Sequence, residues 1–221
     1  MTPFTPSFFN FFEQLEKNNN KDFFDKHRST YEAQVKQPFK CLVIHLIAEL
    51  AKTDPEILRE AHQCIFRINR DIRFAKDKSP YKNHLGAVFN RNGTKDRMPG
   101  FYLHLGAKEI FVGGGMYDLN KEQLAKVRQE IYYNADVFQK LISEKKFKTT
   151  YGSVKGERNK LLPEDYKEFA KMQPLIANKQ FYYMTELTRA DILSNNFDKI
   201  ILKNFAAAQP FNQFLCDAIN G

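Results

Sequence analysis

Apolar residues recur at helical spacing at both ends of the chain and at strand spacing in its middle. Thr5 and Pro6 suit an N-cap and a first helical position. Phe8, Phe11, Phe12 and Leu15 then trace one helical face, which the amide run at 18–20 ends. A second helical pattern runs from about Lys21 through Phe23, Phe24, His27, Tyr31 and Val35. Pro38 either kinks it or opens a third segment, where Phe39, Leu42, Val43, Leu46, Ile47 and Leu50 form an apolar stripe. The period then shortens. CIFRINR, LGAVFN, GFYLHLG and EIFVGG are short and rich in aromatic or β-branched residues, and the turn signals KSPY, NRNGTKDRMP and GAK separate them. Adjacent strands joined by short loops predict an antiparallel meander. Helical spacing returns at about 119–142 with Leu124, Val127, Ile131, Phe138, Leu141 and Ile142, and a mixed region follows. QFYYMTEL, residues 180–187, reads as one more strand, TRAD from Thr188 as a capping box into a short helix, and 196–219 as helix again. There is no internal repeat, low-complexity tract or Gly/Ser linker. The order helices, sheet, helices predicts a single α+β domain over 1–221, with a central mostly antiparallel sheet flanked by N-terminal and C-terminal helices.

Composition narrows the class. Phe and Tyr fill 31 positions against 27 % charged residues, which is a globular rather than a disordered balance. Cys41, Cys64 and Cys216 are odd in number and far apart, with no ligand spacing, so neither a disulfide framework nor structural zinc is expected. The first residues lack the basic and continuous apolar regions of a signal peptide, and no apolar run approaches the roughly 20 residues of a membrane span. The expectation is a cytoplasmic protein with no membrane partner.

The positive charge is local. Of the chain's net +8, RINRDIRFAKDKSPYK at 67–82 holds six Lys or Arg against two Asp, a net of +4. Extending to Arg97 adds Arg91, Lys95 and Arg97 against Asp96 and reaches +6 in 31 residues. If 64–74 is extended, Arg67, Asn69, Asp71 and Arg73 share one face, and Cys64, Phe66, Ile68, Ile72 and Phe74 the other. Arg70 then falls on the apolar face, where it needs a partner such as Asp71 or Asp77.

Arg67, Arg70, Asp71, Arg73, Phe74, Asp77, Lys78 and Tyr81 spell RxxRDxRFxxDKxxY. With PGFYLHLG, IFVGGGMY and the helical NNNKDFFDKHRSTYE, this stretch resembles an uncharacterised bacterial family defined by that signature, a domain of unknown function. The resemblance implies an α+β fold and no established activity.

Function is therefore read from the residues. Arg67, Arg70, Arg73, Lys78 and Lys82 suit the grip of a phosphorylated or otherwise anionic ligand, with Asp71 orienting the arginines. Gly113 and Gly114 leave a predicted strand and could offer bare amides as an anion nest, or simply allow a tight turn or a close backbone approach. Tyr81, near Lys78, is a candidate general acid or base whose pKa a neighbouring cation would lower, and Asp71 is the other candidate catalytic group. The competing readings are a nucleic-acid-binding surface over 67–97, with aromatic residues interleaved among the cations, and a structural Arg/Asp network that takes no ligand. His84 and His104, expected on strands, could approach Asp71 or Glu186, yet no HExxH, HxH or GxSxG pattern supports a metal or a serine nucleophile. Whether a reaction is catalysed, with which cofactor, and in what oligomeric state, the residues leave open.

Overall fold

The computed structural model describes residues 4–57, 59–95 and 97–221. Asp96, counted above among the charges, lies outside them. Helix α1 (Pro6–Lys17) begins after an extended Thr5 with Pro6 in its first turn, where the missing N–H costs nothing, and buries Phe8, Phe9, Phe11, Phe12 and Leu15. Asn20 caps α2 (Lys21–Lys26) by accepting from Phe23 N at 2.9 Å. The second helical pattern continues through α3 (Arg28–Tyr31) and a π-helical turn (Glu32–Lys36) into α4 (Gln37–Leu50). Pro38 lies in the first turn of α4, directly after the widened turn that gives its ring room, so the helix runs on.

The first expected strand is not a strand. Ala61–Cys64 is a short helix, α5, and residues 65–70 form no strand and are only bridged to 80–87, through Ile65 with Ala87 and Asn69 with Tyr81. Three backbone bonds accompany the bridges: Phe66 N to Gly86 O at 2.9 Å, Lys82 N to Ile68 O at 2.8 Å and Arg70 N to Pro80 O at 2.9 Å. A regular ladder cannot continue into 71–79, because that loop satisfies its polar groups internally. The remaining strands follow the pattern: β1 (His84–Phe89), β2 (Gly100–Gly106) and β3 (Ile110–Met116), then α6 (Lys121–Tyr133), α7 (Ala135–Ser143), α8 (Lys145–Tyr151) and α9 (Glu164–Met172). β4 (Phe181–Glu186) returns to the sheet, whose order is β1-β2-β3-β4, antiparallel as expected. The capping box at Thr188 and Asp191 opens α10 (Arg189–Leu193), and α11 (Phe197–Asn220) ends the described chain. The architecture is α+β. No helix among the described residues is long and apolar enough to cross a membrane.

The chain groups into two compact units. The first comprises the described residues of Met1–Asp96, Tyr102–Val112 and Glu186–Leu202, and the second those of Arg97–Phe101, Gly113–Thr185 and Lys203–Gly221. The first unit packs the phenylalanines of α1 edge to face, Phe8 against Phe12 at 5.2 Å and Phe4 against Phe8 at 4.9 Å. The second is built around Tyr183, fully enclosed by Phe147, Tyr151 and Phe211, with its hydroxyl donating to Asn212 Oδ1 at 3.1 Å.

Candidate functional site

Two of the expected arginines are occupied by their own loop. Arg70 pairs with Asp77 at 2.5 Å and donates to Ser79 O at 3.1 Å. Arg73 grips Asp71 through Nε at 3.0 Å and Nη2 at 2.7 Å. Lys78 Nζ donates to Ile72 O at 3.0 Å. Asp77 also accepts from the Ser79 hydroxyl at 2.6 Å and the Ser79 amide at 2.9 Å. Those two bonds, with Arg70 adding to them, hold the Asp77 carboxyl down to about 2. The loop is thus a self-braced hairpin tip whose Phe74 side chain is 96 % exposed.

Arg67 and Lys82 differ. Neither pairs with a carboxylate among the described residues. Lys82 is half-buried with its ammonium 5.5 Å from the centroid of the Phe66 ring, and its pKa is lowered by burial and then by the neighbouring Arg67.

Arg67 also lines a cleft of about 570 Å³ between the α2–α4 helical run and the 65–69 segment. Its floor is apolar and buried: Phe24, Tyr31, Phe39, Ile68, Tyr81 and Leu85. Its exposed rim is basic, with Arg28, Lys36 and Lys40 from the helices, His62 from α5, and Arg67 opposite. Two of these cations are neutralised, Arg28 by Asp25 at 2.6 Å and Lys36 by Glu32 at 2.9 Å. Lys40 and Arg67 have no carboxylate partner among the described residues.

Tyr81 forms part of this floor rather than a rim acid beside Lys78. Its ring stacks on Phe24 at 4.1 Å and 16°. Burial pushes its hydroxyl upward, Asp25 adds to the rise and Arg28 opposes it, so the expected lowering by a cation is reversed. Its main chain is clamped by Asn19, which donates to Tyr81 O at 2.9 Å and accepts from Tyr81 N at 3.1 Å.

Gly113 and Gly114 lie inside β3, not in a loop after it. A Cβ on Gly113 would strike Tyr183 O, and one on Gly114 would strike both Gly100 O and the Tyr183 hydroxyl. Their lack of a side chain serves close packing in the second unit, which is the plainer of the two sequence readings.

On the sheet of the first unit, His84 of β1 stacks on His104 of β2 at 3.9 Å, and His104 on Phe111 of β3 at 4.5 Å. Asp71, bound to Arg73, takes no part. Burial lowers His84 to about 4, helped by Lys82, and His104 to about 3, helped by His84 and Lys82, so both imidazoles are neutral at neutral pH. His104 Nδ1 is 3.3 Å from the Tyr102 hydroxyl, while its buried Nε2 has no hydrogen-bond partner. Among the described residues no group of three or more His, Cys, Asp or Glu could hold a metal ion.

Of the predicted ligand contacts, the cleft brings in Arg67, beside Tyr81, which the sequence offered as an acid or base, and leaves Arg70, Arg73 and Lys78 in the loop. Sequence reasoning missed the opposite wall. Its signal was present as the four-residue spacing Arg28, Glu32, Lys36, Lys40, a polar stripe beside the buried Tyr31, Val35 and Phe39.

The family model for "Conserved hypothetical protein (DUF2461)" matches residues 7–214, and the chain belongs to that family. No curated protein and no solved structure matches it.

Proposed function

We propose that this member of the family binds a small organic anion, phosphorylated or carboxylated, whose apolar or aromatic part lies on the floor of the cleft and whose charge meets Arg67 and Lys40. The carrying observation is the pair of cations without carboxylate partners on facing walls of an aromatic-floored cleft. Two exposed cations that no carboxylate occupies are free to meet an anion, whose planar portion replaces water against Phe24, Tyr31 and Phe39. The internally paired Arg70 and Arg73 brace the loop that carries Arg67 in this reading, and do not themselves bind.

Calorimetric titration with phenyl phosphate, and with phosphate and phenol as its separate halves, tests the proposal. Phenyl phosphate should bind more tightly than either half. Arg67→Ala and Lys40→Ala should each weaken it about tenfold or more, the worth of a charge-assisted hydrogen bond. A shallow dependence on salt is expected of a compact pocket, whereas a steep linear fall of log affinity with log salt would favour the nucleic-acid surface. Saturable binding that neither substitution changes, or no binding across a panel of aryl phosphates and carboxylates, refutes the cleft as the site.

A further inference from the structure

Four tyrosines are buried among the described residues, and their hydroxyls divide by place: Tyr31, Tyr81, Tyr151 and Tyr183. Tyr151 donates to Asn204 O at 2.6 Å and Tyr183 to Asn212 Oδ1 at 3.1 Å, as a phenol taken out of water ordinarily does. Tyr31 and Tyr81 are the two that line the cleft, and there neither hydroxyl has a hydrogen-bond partner among the described residues, nor is either sealed from solvent. Their rings, 6 % and 7 % exposed, pack on Phe24 with centroids at 4.9 Å and 4.1 Å. Resting on the reading that the cleft takes an organic anion, we infer that the part of the ligand lying on the floor carries a neutral hydrogen-bond acceptor, a carbonyl oxygen, which the Tyr31 and Tyr81 hydroxyls recognise.

The chemistry of these two groups selects the ligand class. Burial raises both phenols, so each is protonated at neutral pH and offers an O–H. A phenol donates more strongly than it accepts, so its match is an acceptor. The acceptor is neutral, because a second charge set among Phe24, Phe39 and Leu85 would lose its hydration with only a hydroxyl in return. Lys40 and Arg67 thus hold the anionic end at the rim, and the floor hydroxyls read what is attached to it. Solvent serves such hydroxyls in the free protein, whereas a pure hydrocarbon on the floor displaces that water and leaves them unpaired. A site built this way rejects an analogue without the acceptor more strongly than shape alone would. The cleft volume of about 570 Å³ lies within the range of small-molecule sites, about 300–1,000 Å³, and leaves room for a substituent beyond one ring and its phosphate.

Calorimetric titration with matched aryl phosphates tests the inference: the 3- and 4-acetylphenyl phosphates against their isopropenyl isosteres, which keep the planar shape and lose the acceptor. At least one acetyl compound should bind about fivefold or more tightly than its isostere, the worth of one hydrogen bond. Tyr31→Phe and Tyr81→Phe remove a hydroxyl and keep the ring. Together they should erase that preference, while phenyl phosphate, which has no acceptor on its ring, should bind the double variant at least as well as the unaltered protein. Equal affinities within every acetyl and isopropenyl pair overturn the inference, as does a preference that the double variant retains. So does a uniform loss of all the phosphates in the double variant, which would make the hydroxyls merely structural. In each of these cases binding of phenyl phosphate to the unaltered protein, weakened by Arg67→Ala and Lys40→Ala, leaves the anion reading standing. If none of the aryl phosphates binds the unaltered protein, both fall.

Discussion

Asn19→Ala tests how the basic segment is held over the cleft. In the bridge between Asn69 and Tyr81, the flanking pairs Lys82 with Ile68 and Arg70 with Pro80 make the hydrogen bonds, so Tyr81 turns its own N–H and C=O the other way. No strand waits there. The Asn19 carboxamide takes that place, presenting an acceptor at 3.1 Å and a donor at 2.9 Å, with 62 residues of chain between the two partners. Each bond contributes about 0.5–1.5 kcal/mol net, so losing both costs about 1–3 kcal/mol. For a chain of this size that lowers Tm by about 2–12 °C. The local readout is sharper: amide exchange at Tyr81 and Lys82 should accelerate in Asn19→Ala, while amides of Tyr183 and Phe211 in the second unit should not. Asn19→Asp keeps the acceptor but sets a carboxylate against Tyr81 O, and should be no better than alanine. A stability within about 0.5 kcal/mol of the unaltered protein, together with unchanged Tyr81 exchange, refutes the clamp.

Three other outcomes are expected. His84 and His104 should titrate near 4 and 3 by proton NMR; because the unfolded imidazoles bind protons first, stability should fall as pH drops from about 6.5 towards 4, and His104→Gln should flatten that slope. Asp77 should titrate near 2, and Ser79→Ala, which removes the hydroxyl that donates to it, should move it up towards the ordinary value of about 3.9. The stabilisation this group supplies is present above that ordinary value and lost as pH falls through the folded one. Gly114→Ala should destabilise by about 1–3 kcal/mol or more in urea denaturation, since its Cβ meets main-chain oxygen in the packed second unit, whereas Phe74→Ser, on a fully exposed ring, should stay within about 0.5 kcal/mol.

Most of the secondary structure was legible along the chain, because a helix or strand declares itself through the spacing of a few neighbouring residues. The Phe8 to Leu15 stripe, the Thr5–Pro6 start, the Thr188 capping box and four strands all come from such local patterns. Extended alternation over 64–74 failed as a strand because residues 70–79 had a competing local solution: two Asp, two Arg and a Ser that satisfy one another within the loop. The abundance and place of the positive charge, and the family signature, were also readable from the sequence alone.

Which cations stay without a partner was not. Arg67 and Arg73 alternate alike and carry the same guanidinium, yet one faces a cleft and the other clasps Asp71, since strand register and loop closure decide what each side chain meets. Lys40 and Arg67 are 27 positions apart, and only the packing of α4 against the bridged segment sets them on one cleft. The sequence by itself determined most of the elements, the chain's charge and its family. Tertiary structure alone decided the pairing of that charge, because ion pairs and clefts depend on distances between residues remote in the chain, and no local periodicity encodes them.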